Sequence, residues 1–164
     1  MIAVISDIHD NLANLDKVIK YCQEQKITTM ICCGDVTNSE TLKYLAKKFP
    51  GTIWLALGNM ELFDEEEVEQ YKNIHCLGRT GGYFQYKDKS IGLCHEPSLV
   101  DGLLERQPQI DIVFYGHTHR PWQDQKDLIK LVNPGNVANT LYAPSFAIFD
   151  PKTNESQLKL LNEM

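Results

Sequence analysis

The sequence is poor in several things, and each shortage narrows the field. Its 164 residues hold no apolar run approaching the ~18 that cross a bilayer, so no membrane span is expected. Basic residues are outnumbered, 16 Lys and Arg against 22 Asp and Glu, and the net charge of −6 argues against a broad nucleic-acid surface. Small anions stay open, because bound cations can supply local positive charge. Arginine is scarce, at Arg79, Arg106 and Arg120 alone. No Cys-x-x-Cys pair occurs, and the five cysteines are odd in number. Cys32 and Cys33 adjoin inside an apolar run, where a bridge would be strained, and they read as reduced core thiols of a cytoplasmic protein. Cys94 reads as a strand residue facing the core. The chain opens directly on Met1-Ile2-Ala3-Val4-Ile5, with neither basic segment nor cleavage site, so no signal peptide is expected. Linkers, repeats and low-complexity segments are also missing, which leaves one domain over residues 1–164 with a real core.

What is present is alternation. Met1–Ser6 reads as a strand, and Leu12, Leu15, Val18, Ile19 and Cys22 recur at helical spacing behind a capping Asn11, so a helix is expected to Gln25. Thr28–Cys33 is a second strand. A helix capped by Ser39 follows, with Leu42, Leu45, Ala46 and Phe49 on one face, stopped by Pro50-Gly51. Thr52–Leu57 is a third strand, and Asp64–Tyr71 an acidic, solvated helix. Cys76–Gly82 reads as loop, with His75 at the surface. Phe84–Lys87 and Ser90–Cys94 form a hairpin about Asp88-Lys89. A short helix follows through Leu99, Val100, Leu103 and Leu104, then strands Ile110–Tyr115 and Leu128–Val132. The last expected element is a hairpin of Ser145–Asp150 and Gln157–Leu161. Strand–helix units followed by a β-rich half make an α/β (α+β) fold of two packed mixed sheets with helices outside.

The residues just after the apolar runs share a chemistry. They are Asp7 and His9, Asp35, Asn59, His95, and His117 with His119. Four of the five histidines fall there. Ligands bind beyond the carboxyl ends of strands in such sheets, so five strand ends can deliver seven nitrogen and oxygen donors to one edge. Singly, each has an ordinary reading as a cap, a turn or a surface group. Together, those readings demand five coincidences. Seven donors exceed one tetrahedral zinc and include no thiolate cluster, so they suit two borderline divalent ions sharing a carboxylate.

Asp7-x-His9, Gly34-Asp35, Gly58-Asn59, His95 and Gly116-His117-Thr118-His119, in this order, resemble the motifs of the calcineurin-like metallophosphoesterase superfamily, over Ile2 to about Gly135. The short chain and its Asn133-Pro134-Gly135 are similar to the small bacterial and archaeal phosphodiesterases of that superfamily. The resemblance implies a four-layer αββα sandwich. It implies that Asp7, His9 and His119 hold one metal, that Asn59, His95 and His117 hold a second, and that Asp35 bridges them. Mn²⁺ is the first choice, with Ni²⁺, Fe²⁺, Co²⁺ or Zn²⁺ as alternatives. A hydroxide between two ions would attack phosphorus, with Asp35, Asn59 and His95 serving catalysis as well as ligation. The implied partner is a small phosphoester or nucleotide-like substrate. Family members of this size often self-associate, but no stripe here marks an interface.

Two motifs depart from the pattern. Gly58-Asn59-Met60-Glu61 has Met60 where histidine or cysteine is usual, and a thioether donates no proton. Loss of general-acid help, worth ~10²–10⁴-fold, penalises good leaving groups least. Glu61 is expected to orient the loop or a histidine. In His95-Glu96-Pro97, Glu96 is expected to face solvent. Met60 also keeps open a weakly active scaffold of the same fold, as in a retromer subunit. A phosphomonoesterase is a further alternative, and it would need a cation for the extra charge. Arg120 is the arginine adjoining a motif, and a surface charge is an equal reading of it.

Overall fold

The computed structural model describes residues 1–164. In chain order the elements are β1 (Ile2–Ile5), α1 (Leu12–Glu24), β2 (Thr29–Cys32), α2 (Ser39–Lys48), β3 (Thr52–Leu55), α3 (Glu65–Val68), β4 (Ile74–Cys76), β5 (Gly82–Tyr86), β6 (Lys89–Leu93), α4 (Val100–Arg106), β7 (Ile112–Phe114), β8 (Trp122–Lys126), β9 (Ile129–Asn133), β10 (Ser145–Asp150) and β11 (Glu155–Leu160). Six strands form one sheet in the order β11-β10-β1-β2-β3-β4, and five form a second in the order β5-β6-β7-β9-β8. β1 to β4 run parallel, as do β6, β7 and β9, while the outer hairpin strands are antiparallel. The carboxyl ends of both parallel sets therefore carry the motif residues.

Alternation along the strands divides the core. Ala3 and Ile5 of β1, with Met30 and Cys32 of β2, pack against Leu15, Val18 and Ile19 of α1 and Leu42 and Leu45 of α2. Ile2 and Val4 point the other way, onto Ile91, Leu93, Ile112 and Phe114 of the second sheet. Val100 and Leu103 of α4 cover that sheet's outer face at Val113. The result is the αββα sandwich expected.

Some boundaries moved. Asn11 caps α1 as expected, its side chain accepting from Asn14 N–H at 3.1 Å. α2 is capped by Asn38, not Ser39, because Asn38 is the last extended residue and its side chain accepts from Thr41 N–H at 3.0 Å. Ser39 instead donates its hydroxyl to Glu67. The acidic helix shrinks to Glu65–Val68 behind the Asp64 cap, since Val68 is its one buried residue. The β5–β6 turn is Lys87-Asp88, one residue earlier than expected, with Lys87 at φ 57°. His75 is exposed but lies in β4, stacked on Trp54 with ring centroids 4.6 Å apart. β8 was not anticipated. All five of its residues are exposed on a sheet edge, so Trp-Gln-Asp-Gln-Lys has no buried face to impose alternation.

Candidate metal centre

The seven motif residues meet at one edge of the sandwich. Beyond β1 and β2 the backbones are tied together: Asp7 N–H donates to Gly34 carbonyl at 2.9 Å, and Ile8 and His9 N–H donate to Asp35 carbonyl at 2.8 and 3.0 Å. Gly58 seats the third motif on the second. A Cβ there would lie 2.1 Å from Asp35 Oδ1 and 2.6 Å from Asp35 N. Five of the seven residues, Asp7, His9, Asp35, His117 and His119, take positive φ. Non-glycine residues pay for that conformation, and such strain gathers at functional sites.

The atoms form two groups joined by Asp35. In the first, His119 Nε2 lies 3.3 Å from Asp7 Oδ1 and 3.2 Å from His9 Nε2. In the second, Asn59 Oδ1 lies 3.0 Å from His95 Nε2 and 3.0 Å from His117 Nδ1. Asp35 Oδ2 lies 3.6 Å from His9 Nε2 and 3.3 Å from His95 Nε2. Asp7 approaches both groups, since Asp7, Asp35 and His95 also offer atoms mutually within 4.8 Å.

Hydrogen bonding makes this a set of lone pairs facing lone pairs. His95 Nδ1 is 2.7 Å from Cys33 carbonyl, which accepts only, so that nitrogen carries the proton. In neutral His95, Nε2 then presents a lone pair to Asn59 Oδ1, Asp35 Oδ2 and His117 Nδ1, the last at 3.3 Å. His119 Nδ1 is likewise set by Thr140 carbonyl at 3.3 Å, leaving Nε2 to face Asp7. Such a cluster needs a cation or protons at its centre. The donor set fits divalent metal.

The titration of the side chains reflects the same crowding. Burial works against the charge on Asp35, yet the His95 contact and Met60 N–H, 2.9 Å from Oδ1, hold its carboxyl below the usual range. Burial would also lower His95, but Asp35 outweighs it and raises the imidazole above its ordinary value. His119 is raised by its bond to Asp7.

Around this centre the other expectations sort themselves. Glu61 orients the loop: its carboxylate accepts from Thr37, Val36 and Gly58 N–H, and burial raises its pKa. Glu96 turns outward and accepts from the Ser98 hydroxyl. Arg120 stacks over Trp122, its guanidinium carbon 4.6 Å from the ring centroid, as a surface charge. Cys94 is fully buried beside Val100 and Leu103, and burial pushes its thiol up to about 12. Three contributors escaped the sequence reading. The carbonyls of Cys33 and Thr140 act through the backbone, which residue identity does not mark. Arg79, far in sequence from Gly58, donates to its carbonyl at 2.6 Å.

Comparison with known proteins decides the family. Residues 1–154 match the calcineurin-like phosphoesterase superfamily domain. The chain belongs to that superfamily. Its chemistry is accordingly hydrolysis of phosphoesters. A phosphodiesterase of Methanocaldococcus jannaschii is 24% identical over 159 residues, 94% of this chain and 95% of that one. Among solved structures, an archaeal phosphodiesterase superposes with TM-score 0.85 at 22% identity, covering 97% of this chain and 98% of its own. Vacuolar protein sorting 29 of Cryptosporidium parvum shares the fold with TM-score 0.67 at 17% identity, covering 97% and 95%. No helix is long and apolar enough to cross a membrane.

Proposed function

We propose that this protein is a phosphodiesterase working with two divalent metal ions, Mn²⁺ foremost. Asp7, His9 and His119 would hold one ion, Asn59, His95 and His117 the other, and Asp35 both. The observation carrying this reading is Asp35 Oδ2, 3.6 Å from His9 Nε2 and 3.3 Å from His95 Nε2, one carboxylate oxygen facing a nitrogen donor of each group. The M. jannaschii relative, named a phosphodiesterase, supports the same choice of ester. When bound, the ions supply the positive charge that activates a water and neutralises the phosphoryl oxygens.

The chain's own residues do the rest. Met60 N–H holds Asp35 Oδ1 and so leaves Oδ2 turned to the centre. The carbonyls of Cys33 and Thr140 hold the protons of His95 and His119 away from it. Asn59 turns Oδ1 toward both histidines of its group, which leaves its amide N–H groups for a phosphoryl oxygen. The substrate approaches an open cleft of about 420 Å³ lined by His9, Asp35, Asn59, Met60, His117, His119 and Thr140. That cleft offers no arginine or lysine for the second charge of a monoester, which favours a diester.

A second reading is a partner-binding scaffold. Met60, 49% exposed where a proton donor would serve an enzyme, is the observation that favours it. Metal-stripped protein titrated with Mn²⁺ against bis(4-nitrophenyl) phosphate separates the two, with Asp35→Asn as the blank. Saturable, metal-dependent turnover missing from the blank supports the phosphodiesterase. No turnover above the blank by folded, metal-loaded protein rejects it.

A further inference from the structure

Eleven large apolar side chains are exposed, and five of them, Leu12, Met60, Leu62, Leu141 and Tyr142, sit on segments that carry or abut the metal-centre residues. Scattered exposed leucines are ordinary, but here Met60 lines the polar cleft and Leu141 directly follows Thr140, another residue of its lining. Met60 lines that cleft beside Thr140. Leu62 is 76% exposed, and its N–H is tied to the carbonyl of Thr37, whose hydroxyl is 3.5 Å from His9 Nδ1.

Leu141 is held there at a cost. Tyr142 N–H donates to Thr140 carbonyl at 2.8 Å, two residues back, and Leu141 between them has φ 66°. That is a γ-turn of the strained hand, adopted by a branched side chain 83% exposed to solvent. Packing does not explain it. The turn is anchored to the centre instead: Asn136 donates to the carbonyls of His119 and Tyr142 and accepts from Thr140 N–H. The same Thr140 carbonyl faces His119 Nδ1 at 3.3 Å. One hydrogen-bonded loop thus orients a candidate ligand and carries an exposed leucine next to the cleft-lining Thr140.

The geometry points to an apolar lip, formed by Met60 and Leu141 with Leu62 at its edge, that binds a flat aryl ester group of a phosphodiester. This rests on the phosphodiesterase reading above. A flat ring suits a shallow lip better than a branched chain, and the Met60 thioether makes favourable contact with aromatic rings. The chemistry agrees. No side chain lining the cleft, apart from the histidines of the centre, is a proton donor of suitable acidity. Water adds to phosphorus as hydroxide, its other proton going to solvent, and the aryl oxygen departs with the P–O electron pair as an aryloxide. An aryloxide is stable enough to leave unprotonated, whereas an alkoxide is not.

The test measures binding of phenyl methylphosphonate and of methyl methylphosphonate to Mn²⁺-loaded protein by calorimetry, beside turnover of methyl 4-nitrophenyl phosphate. We expect the phenyl ester to bind about tenfold tighter, the scale of a small apolar contact. Leu141→Ser and Met60→Ala should each bring that ratio below about threefold and raise KM for the nitrophenyl ester. Leu128→Ser should keep the ratio, because Leu128 is an exposed leucine in the β8–β9 turn at the opposite end of the sheet. Equal binding of the two esters, or a preference retained in both lip variants, overturns the lip and leaves the segment to a protein partner. A phenyl preference that both variants erase, without turnover, keeps the lip and fells the phosphodiesterase. Turnover without a phenyl preference does the reverse.

Discussion

The two ends of the same strands use the same unusual backbone for different ends. Of thirteen non-glycine residues at positive φ, nine cluster at the carboxyl ends of the parallel strands: Asp7, His9, Asp10, Asp35, Thr37, His117, His119, Asn139 and Leu141. The other four, Lys26, Lys87, Asp127 and Asn154, fall in connections at the opposite end. At that end the strain serves a turn and nothing more: Lys26, Lys87 and Asp127 are exposed, and any residue that tolerates the φ would do. At the site end it aims the buried Asp7 and Asp35 and the half-buried His9 and His119 at one another. Asp7 is fully buried and Asp35 is 2% exposed. At the candidate ligands, strain coincides with acceptor atoms of several residues facing one another, which the turns at the opposite end do not bring together.

That contrast can be broken in graded steps. The largest effect should come from Asp35→Asn, which removes the carboxylate common to both groups. We expect turnover of a nitrophenyl phosphodiester to fall about 10³-fold, read by steady-state kinetics. Next is Gly58→Ala. Its Cβ would meet Asp35 N at 2.6 Å, a backbone atom that cannot step aside, and urea unfolding should show a loss of about 3 kcal/mol. Third is pH. Asp35 is held below 3.8, so its contribution to stability is present above about pH 4 and lost as the pH falls through its lowered value. His95 and His119 are raised above 6.5, so theirs is present below about pH 6.5 and lost as the pH rises through the raised values. Metal-free protein should therefore resist urea best between about pH 4 and 6.5 and weaken toward pH 8. Saturating Mn²⁺ should reverse that decline, because metal and protons compete for the same lone pairs. The smallest effect belongs to the opposite end. Lys87→Gly relieves φ strain but adds chain entropy, so stability should change by less than about 1 kcal/mol, with turnover unaltered.

The same contrast explains what was legible in the sequence. The buried strands β1, β2, β3 and β7 declared themselves by apolar runs, and the helices by period, because burial imposes pattern. Each ended in a chemically distinct residue, so the seven candidates could be named from Asp7 to His119. Order along the chain carried the grouping, because parallel strands bring their carboxyl ends together. What burial does not pattern was missed: β8, exposed on every residue, and the three-residue β4. What acts through the backbone was missed as well. The carbonyls of Cys33 and Thr140 select histidine tautomers, and the Asn136 anchor leaves no spacing signature. Met60 was visible as a departure, but its part in an exposed lip needed the placement of Leu141, eighty-one positions away.

On the reading proposed, two groups of donors share Asp35 and hold two ions. The most direct measurement is calorimetric titration of chelator-treated protein with Mn²⁺, followed by metal analysis of the desalted complex and repeated with Asp35→Asn. Close to two ions per chain are expected, with the substitution weakening both binding events together. One ion per chain, or two whose affinities ignore Asp35, would contradict that reading.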